Sequence, residues 1–433
     1  MTAWYQSSCH IKTSLWGKTA NSLPVMTALK DDINVDVLVI GAGFCGLSAA
    51  LHLAEKGVEV GVVEAHEPGW GASGRNGGQI IPGLKIFPDE IVSRFGSERG
   101  ERIVNTVSAA PKMVYDLIQK YKIDCDLRKT GWIQLAKGPV GMKTTDAHVQ
   151  QWGNRNISVK ALSFDDIQKK VGTSAYTGGL IDERGGNLHP LKYARGLAKA
   201  CISLGVSIFC DTPATSVKRI GNRWVIKTLN GTIKSETVII CTNGYTGSML
   251  PGLSQSIIPV LTGVIATTPL TGSLKDKILP GRQGVADTRR LLSWFGFDCE
   301  NRLLFGSRVN SQKELIDKKN FTFGLRRMKE IFPKVDNTNL SHMWTGRVAL
   351  TLDHVPHVHK LADGLYSGLG FNGRGVAMAT MMGEILANHC ILNKDNNNFL
   401  PLTSMPKIPF NRFRGIGVAV ALSWKRMMDT ARP

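Results

Sequence analysis

Acidic residues are scarce in this chain of 433 residues: 34 Asp and Glu stand against 53 Lys and Arg, a net charge of +19. The basic residues nevertheless form no long run, and helix-turn-helix, RRM and zinc-finger spacings are missing. The charge therefore reads as a basic surface that attracts anions, and nucleic acid is not an expected partner. No C-x-x-C pair occurs among the eight cysteines, at 9, 45, 125, 201, 210, 241, 299 and 390. Several lie in apolar runs, which points to reduced, buried thiols of a cytoplasmic protein rather than a disulfide framework. No run reaches the ~18 apolar residues of a membrane span; the best stretch near the end, Gly415 to Trp424, is too short. The first 30 residues contain Lys12, Lys18 and Lys30 but no acid, no arginine and no continuous apolar segment. That argues against a secretory signal and against a transit peptide. Pro356 interrupts "HVPHVH", His354 to His359, so no helix aligns those imidazoles and no metal is expected there. There is no internal repeat.

What is abundant is glycine, 46 residues, which suits tight turns and close backbone approach to a ligand. The length suits two domains or one large interleaved one. Val35 to Ile40 is an apolar, β-branched run, as a buried parallel strand requires. Leu47 to Lys56 has helical periodicity and ends at Gly57, and Val58 to Val63 reads as a second strand. A long amphipathic helix is expected over Ser97 to Tyr121, with Pro111 marking a kink or break, then a strand within Leu127 to Ala136. "SFDDIQKKVG" reads as a helix capped by Ser163 with Asp166 three residues on, and His189-Pro190 open another that runs to Leu204. Asn230-Gly231 predicts a hairpin with a type I′ turn. Pro251 to Phe332 reads as an antiparallel sheet, Gly364 to Cys390 as a strand, a glycine turn and a long apolar helix, and residues 409–433 as a final amphipathic helix.

Gly41, Gly43 and Gly46 form G-x-G-x-x-G between the first strand and its helix. The first glycine permits the turn, the second admits a pyrophosphate to backbone N–H groups, and the third lets helix and strand pack closely. The helix N-terminus favours the phosphate charge. Glu64, at the end of the second strand, suits ribose hydroxyls and would repel a 2′-phosphate. Directly afterwards "GASGRNGGQI" supplies Ser73, Gly74, Arg75, Asn76, Gly77, Gly78 and Gln79, a loop able to run beside a pyrophosphate and an isoalloxazine ring. An exchanging nicotinamide needs no such loop, so the nucleotide is read as a flavin. "GFNGRG", Gly370 to Gly375, with Phe371, Asn372, Gly373 and Arg374, precedes a helix whose positive end would stabilise a reduced, anionic ring.

"GASGRNGGQI", "LLFGSRV", "MWTGRVALTLDHVP" and "GFNGRGVAMATMMGE" resemble the FAD-dependent D-amino-acid oxidase superfamily, nearest its gamma-glutamylputrescine oxidase branch. The leader "WYQSSC" and the terminal "PFNRFRGIGVA" fit that branch too. The resemblance implies an α/β fold, α+β overall, with a Rossmann-like FAD-binding domain interleaved with an antiparallel-sheet substrate domain. The implied division gives residues 33–88, 150–250 and 341–390 to the FAD domain and 89–149 and 251–340 to the substrate domain. Residues 1–32 and 391–433 are the terminal extensions. It adds Phe44, Cys45 and Ala65 to the cradle, Ala214 and Val217 near adenine, and Thr242, Asn243 and Gly244 on the returning strand. No cysteine stands in "GFNGRG", so non-covalent FAD is expected. The implied reaction removes hydride from the carbon beside an amine nitrogen, with transfer to flavin N5, hydrolysis of the imine and passage of electrons to oxygen or another acceptor. Tyr245, Trp294, Phe295, Arg308, Trp344 and His354 are the candidate walls and donors of the pocket for a small amine or amino acid. Two alternatives stay open: a quinone-linked dehydrogenase at a membrane surface, and a flavin-binding scaffold or RNA-modifying protein.

Overall fold

The computed structural model describes residues 11–311, 313–335, 339–392 and 400–405. The leader motif at 4–9 and the segment 409–433 lie outside these residues. Five parallel strands form the centre of a nine-stranded sheet, in the spatial order Leu365–Leu369, Thr232–Ile240, Ile33–Ile40, Val60–Val63, Ser207–Phe209. Both faces are covered, which is why the β-branched runs carry so few polar residues. One face meets helices Phe44–Ala54, Pro190–Ser203 and Gly375–Leu392, with Leu47, Leu51, Leu197 and Met382 buried between them. The other is closed by Trp224, Ile226 and Leu253. A Cβ on Gly383 would lie 2.5 Å from the Cys45 carbonyl oxygen, so the closing helix packs on Phe44–Ala54 almost backbone to backbone.

The second sheet has eight strands in the order Leu340–Leu350, Ile258–Pro269, Arg302–Arg308, Trp294–Phe297, Gly284–Asp287, Trp132–Ala136, Gly178–Asp182, Val159–Leu162. It is antiparallel except where Gly284–Asp287 runs parallel to Trp132–Ala136. Phe295, Phe305 and Leu303 face a separate core completed by Met328, Ile331 and Ile167. The two sheets therefore bury two distinct interiors, and the site lies between them.

Three expectations change. Strands Val159–Leu162, Gly178–Asp182 and Leu340–Leu350 belong to the eight-stranded sheet, so the expected divisions at 150 and 341 do not follow sheet membership. Gly178–Asp182 is buried throughout, as the central parallel strands are, so its composition does not say which sheet it joins. The turn at Asn230-Gly231 is not type I′: neither residue has positive φ, and the last paired residues are Lys227 and Thr232. Thr228 closes the four-residue loop instead, its Oγ1 donating to Gly231 O (2.7 Å) and accepting from Gly231 N (3.1 Å). Helix Ser97–Lys120 runs through Pro111 without a break. Val107, Ala110 and Val114 stay on one buried face, and that burial outweighs the single backbone bond the proline forgoes.

Candidate functional site

A cavity of about 1380 Å³ extends from the glycine turn to the inner surface of the eight-stranded sheet. That exceeds the ~300–1,000 Å³ typical of drug-sized ligands, so a longer molecule is suited to it. Strand Ile33–Ile40 delivers Gly41 at φ 105°, and its N–H donates to Val63 O (2.8 Å). Gly43 is the N-cap of helix Phe44–Ala54 and carries no capping side chain of its own; Ser73 Oγ, from the next loop, accepts from Phe44 N (2.9 Å). Gly46 lies behind the cavity wall. A Cβ there would sit 1.9 Å from Gly41 O, so the helix approaches the turn too closely for any side chain.

Glu64 follows the second strand into the cavity wall. Its carboxylate accepts from Ala42 N (2.8 Å) and His66 N (3.1 Å). Burial pushes its pKa up to about 7 against the pull of those amides. Ala65, Thr212 and Ala214 line the same end.

The loop from Gly71 to Gln79 forms the next stretch of wall. Asn76 fastens it internally: its Nδ2 donates to Ala72 O (3.1 Å) and Ser73 O (2.9 Å), and its Oδ1 accepts from Gly78 N (2.8 Å). Arg75 is 2% exposed. Its Nε donates to Trp70 O (2.8 Å) and its guanidinium lies 4.3 Å from the Trp70 ring centre. Its Nη1 and Nη2 have no partner among the described residues, and the side chain lines the cavity. Such a buried, unsatisfied fork calls for an anionic or carbonyl acceptor. Gln79 spans to the second sheet, with Nε2 on Val285 O and Phe295 O (both 3.1 Å) and Oε1 accepting from Trp132 Nε1 (3.0 Å).

The closing turn is built around Asn372, at φ 51°. Its Oδ1 accepts from Thr351 N (3.0 Å), and its Nδ2 donates to Thr351 Oγ1 (3.0 Å) and Gly370 O (2.6 Å). Gly370 N in turn donates to Asn243 Oδ1 (3.0 Å), joining this turn to the returning strand. Arg374 donates from Nη1 to Pro82 O, and burial lowers its pKa to about 10.

The cavity brings together Gly41, Gly43, Phe44, Cys45, Glu64, Ala65, Ser73, Arg75, Asn76, Gly77 and Gln79 with Ala214, Thr242, Asn243, Phe371, Asn372, Gly373, Arg374 and Gly375. Gly74, Gly78, Val217, Gly244 and Gly370 stand behind the wall, where they shape it without lining it. Tyr245, Trp294, Arg308 and His354 line it. Phe295 and Trp344 do not. Phe295 alternates with Trp294 on one strand and so points into the opposite core, stacked 5.9 Å from Phe305. Trp344 is 1% exposed and donates its indole N–H to Arg75 O (2.9 Å), a supporting contact. The histidines of "HVPHVH" diverge: His354 reaches the cavity, His357 meets Asp353 Oδ1 (3.2 Å), and His359 meets Thr403 Oγ1 (2.9 Å).

The sequence reading missed Trp132 and Gln134, which line the cavity while Ile133 and Leu135 fill the core behind. The alternation in "WIQLA" carries that signal. Gln134 Oε1 is buried there without a partner among the described residues. Thr262 and Arg347 were missed too; they come from adjacent strands whose pairing no local pattern announces.

Residues 36–389 match a protein-family model described as DAO, FAD dependent oxidoreductase. The chain belongs to this family. It is therefore an FAD-dependent oxidoreductase, and the cavity fits its cofactor: a glycine cradle, an acceptor carboxylate at Glu64 and unpaired guanidinium donors succeed one another along one wall. The oxidoreductase is 32% identical over 408 residues to a probable oxidoreductase, OrdL, of Haemophilus influenzae, covering 92% of this chain and 93% of that protein. It is 30% identical over 403 residues to gamma-glutamylputrescine oxidoreductase of Escherichia coli, covering 92% and 93%. Among solved structures, glycine oxidase from Geobacillus kaustophilus superposes with a TM-score of 0.70 at 20% identity, over 87% of this chain and 99% of that one. L-proline dehydrogenase from P. horikoshii superposes with a TM-score of 0.69 at 19% identity, over 89% and 99%.

Proposed function

We propose that this oxidoreductase acts in the cytoplasm on a small amine or amino acid, gamma-glutamylated polyamines among them, and passes the electrons to oxygen. The observation that carries the reading is the continuity of the cavity. One space leads from the glycine turn and Glu64, past Arg75, to an end walled by Trp132, Trp294 and Arg308. The Escherichia coli relative, named for gamma-glutamylputrescine, supports the substrate class.

Gly41, Gly43 and the first amides of helix Phe44–Ala54 would hold the diphosphate of FAD, Glu64 the ribose, and Ser73, Arg75, Asn76 and Gln79 the middle of the cofactor, without a covalent tether. FAD, when bound, supplies the hydride acceptor for the carbon beside the substrate nitrogen. Trp132 and Trp294 confine the substrate, and Gln134 Oε1 offers an acceptor to a substrate N–H. Glu64 and Asp287 are the carboxylates that line the cavity. Asp287 is engaged elsewhere, taking Tyr176 Oη–H (2.9 Å), Ser293 N (3.0 Å) and Arg289 N (3.3 Å). Among the described residues, then, no lining carboxylate other than these stands at the cavity, and on this reading the amine binds as its free base.

An anaerobic panel of amines, amino acids and gamma-glutamyl amines, read by loss of oxidised flavin absorbance, tests the reading. Bleaching by a member of the panel, followed by hydrogen peroxide on admission of air, is the expected result. Turnover with a quinone analogue but not with oxygen would assign a dehydrogenase, and bleaching by none would overturn the substrate class.

Glu64 makes FAD binding pH-dependent. Ribose hydroxyls donate to the ionised carboxylate, so binding favours loss of a proton that the free protein holds below about pH 7. FAD affinity should therefore fall as pH drops through 7, by up to about tenfold per unit, and level off above it. Glu64→Gln should bind FAD more weakly with the slope removed. Titration of apo-protein across this range, with the slope retained in the variant, would refute the ribose assignment.

A further inference from the structure

We propose that Trp16 and Trp344 are paired positioning residues that set the direction of Arg75 and, with it, the FAD affinity of the cavity. Their indole N–H groups bond two consecutive carbonyls of the same loop. Trp16 Nε1 donates to Asn76 O and Trp344 Nε1 to Arg75 O, each at 2.9 Å. They arrive from unrelated parts of the chain. Trp16 belongs to the short N-terminal helix Leu15–Thr19 and Trp344 to the strand Leu340–Leu350 of the second sheet. Their rings meet nearly edge to face at 6.0 Å, and they are 3% and 1% exposed.

The two carbonyls are turned toward the indoles, and Arg75 and Asn76 are both residues of the cavity wall. Fixing the peptide groups at 75 and 76 therefore fixes where the unpartnered Nη1 and Nη2 of Arg75 point. The N-terminal segment is pressed directly on this loop: a Cβ on Gly74 would lie 2.6 Å from Ile11 Cδ1. It is also tied to the body, since Thr19 Oγ1 meets His189 Nε2 (3.0 Å) and His189 Nδ1 caps helix Pro190–Ser203 through Lys192 N (3.2 Å). Residues 11–19 thus act as the outer jaw of a clamp whose inner jaw is the second sheet.

This inference rests on the reading that loop 71–79 faces FAD. Trp16→Phe keeps an aromatic ring in place but removes the donor and leaves the Asn76 carbonyl unsatisfied. In the full-length protein, reconstituted from apo-protein and followed by flavin fluorescence, FAD affinity should fall about tenfold for Trp16→Phe and similarly for Trp344→Phe. Flavin circular dichroism of the saturated variants should change, because Arg75 loses its fixed direction. The double variant should lose less than the product of the two, because both bonds hold one loop. Ser14→Ala uncaps the Trp16 helix (Ser14 Oγ accepts from Gly17 N at 3.1 Å) and should give a smaller loss of affinity, which keeps the test open if Trp344→Phe fails to fold. Met328→Ala, in the core behind the second sheet, is the comparator: it should lower Tm and leave FAD affinity unchanged. A Trp16→Phe protein that loses Tm as the comparator does, with FAD affinity and circular dichroism intact, overturns the clamp. If Gly43→Val also binds FAD normally, the cradle reading falls with it.

Discussion

Gly43→Val should yield a soluble, folded and colourless protein whose affinity for FAD is reduced by about a hundredfold or more. Gly43 lines the cavity, so the added methyl groups enter the space of the ligand and not the core. The Cβ alone would already lie 2.9 Å from Ser73 Oγ, and relief moves Ser73 off Phe44 N. The branched chain would also stand between the diphosphate and the amides of the helix start. Losing two charge-assisted hydrogen bonds at about 1.5–3 kcal/mol each accounts for the size of the effect. Flavin content after purification, together with far-UV circular dichroism, decides the matter: a folded variant with normal flavin would place the cofactor elsewhere.

Gly46→Ala should instead damage the fold. The new Cβ would lie 1.9 Å from Gly41 O, a backbone atom, and 3.1 Å from Val39 Cγ1. Helix Phe44–Ala54 cannot move away, because helix Gly375–Leu392 rests against its other side at Gly383. Overpacking of this kind costs roughly 3 kcal/mol or more, a large part of the stability of an ordinary protein. Little soluble protein and a lowered Tm are expected. Gly57→Ala is the contrast: its Cβ meets nothing within 4 Å, and at φ 78° it costs about 1 kcal/mol. Equal Tm values for the two variants would contradict the close packing assigned to Gly46.

The difference between these glycines was legible before any coordinates, because a strand, a glycine turn and a helix are neighbours in sequence. Glu64 was legible for the same reason, 23 residues from Gly41 at the end of the next strand. The substrate end was only half legible. Trp294 and Phe295 cannot both face one cavity, since successive residues of a strand point to opposite sides, and nothing in "SWFGF" says which side is inward. The alternation of Trp132 and Gln134 was there to be read, but its value depends on which sheet receives the strand. Trp344 was expected in the wall but stands behind it; its partner, Arg75 O, is 269 residues away. The turn at Asn230-Gly231 failed because Thr228, a residue outside the dipeptide, supplies a competing set of hydrogen bonds.

The parallel sheet has a consequence for biosynthesis. Its central strand, Ile33–Ile40, is made long before the strand Leu365–Leu369 that completes its sheet and the helix Gly375–Leu392 that covers it. Until that last part emerges, Val238 to Ile240 has an open edge and helix Phe44–Ala54 an uncovered flank. The growing chain must therefore carry an unfinished, adhesive sheet from the making of Ile33–Ile40 until Gly375–Leu392 is made, and the cofactor cradle is complete only then.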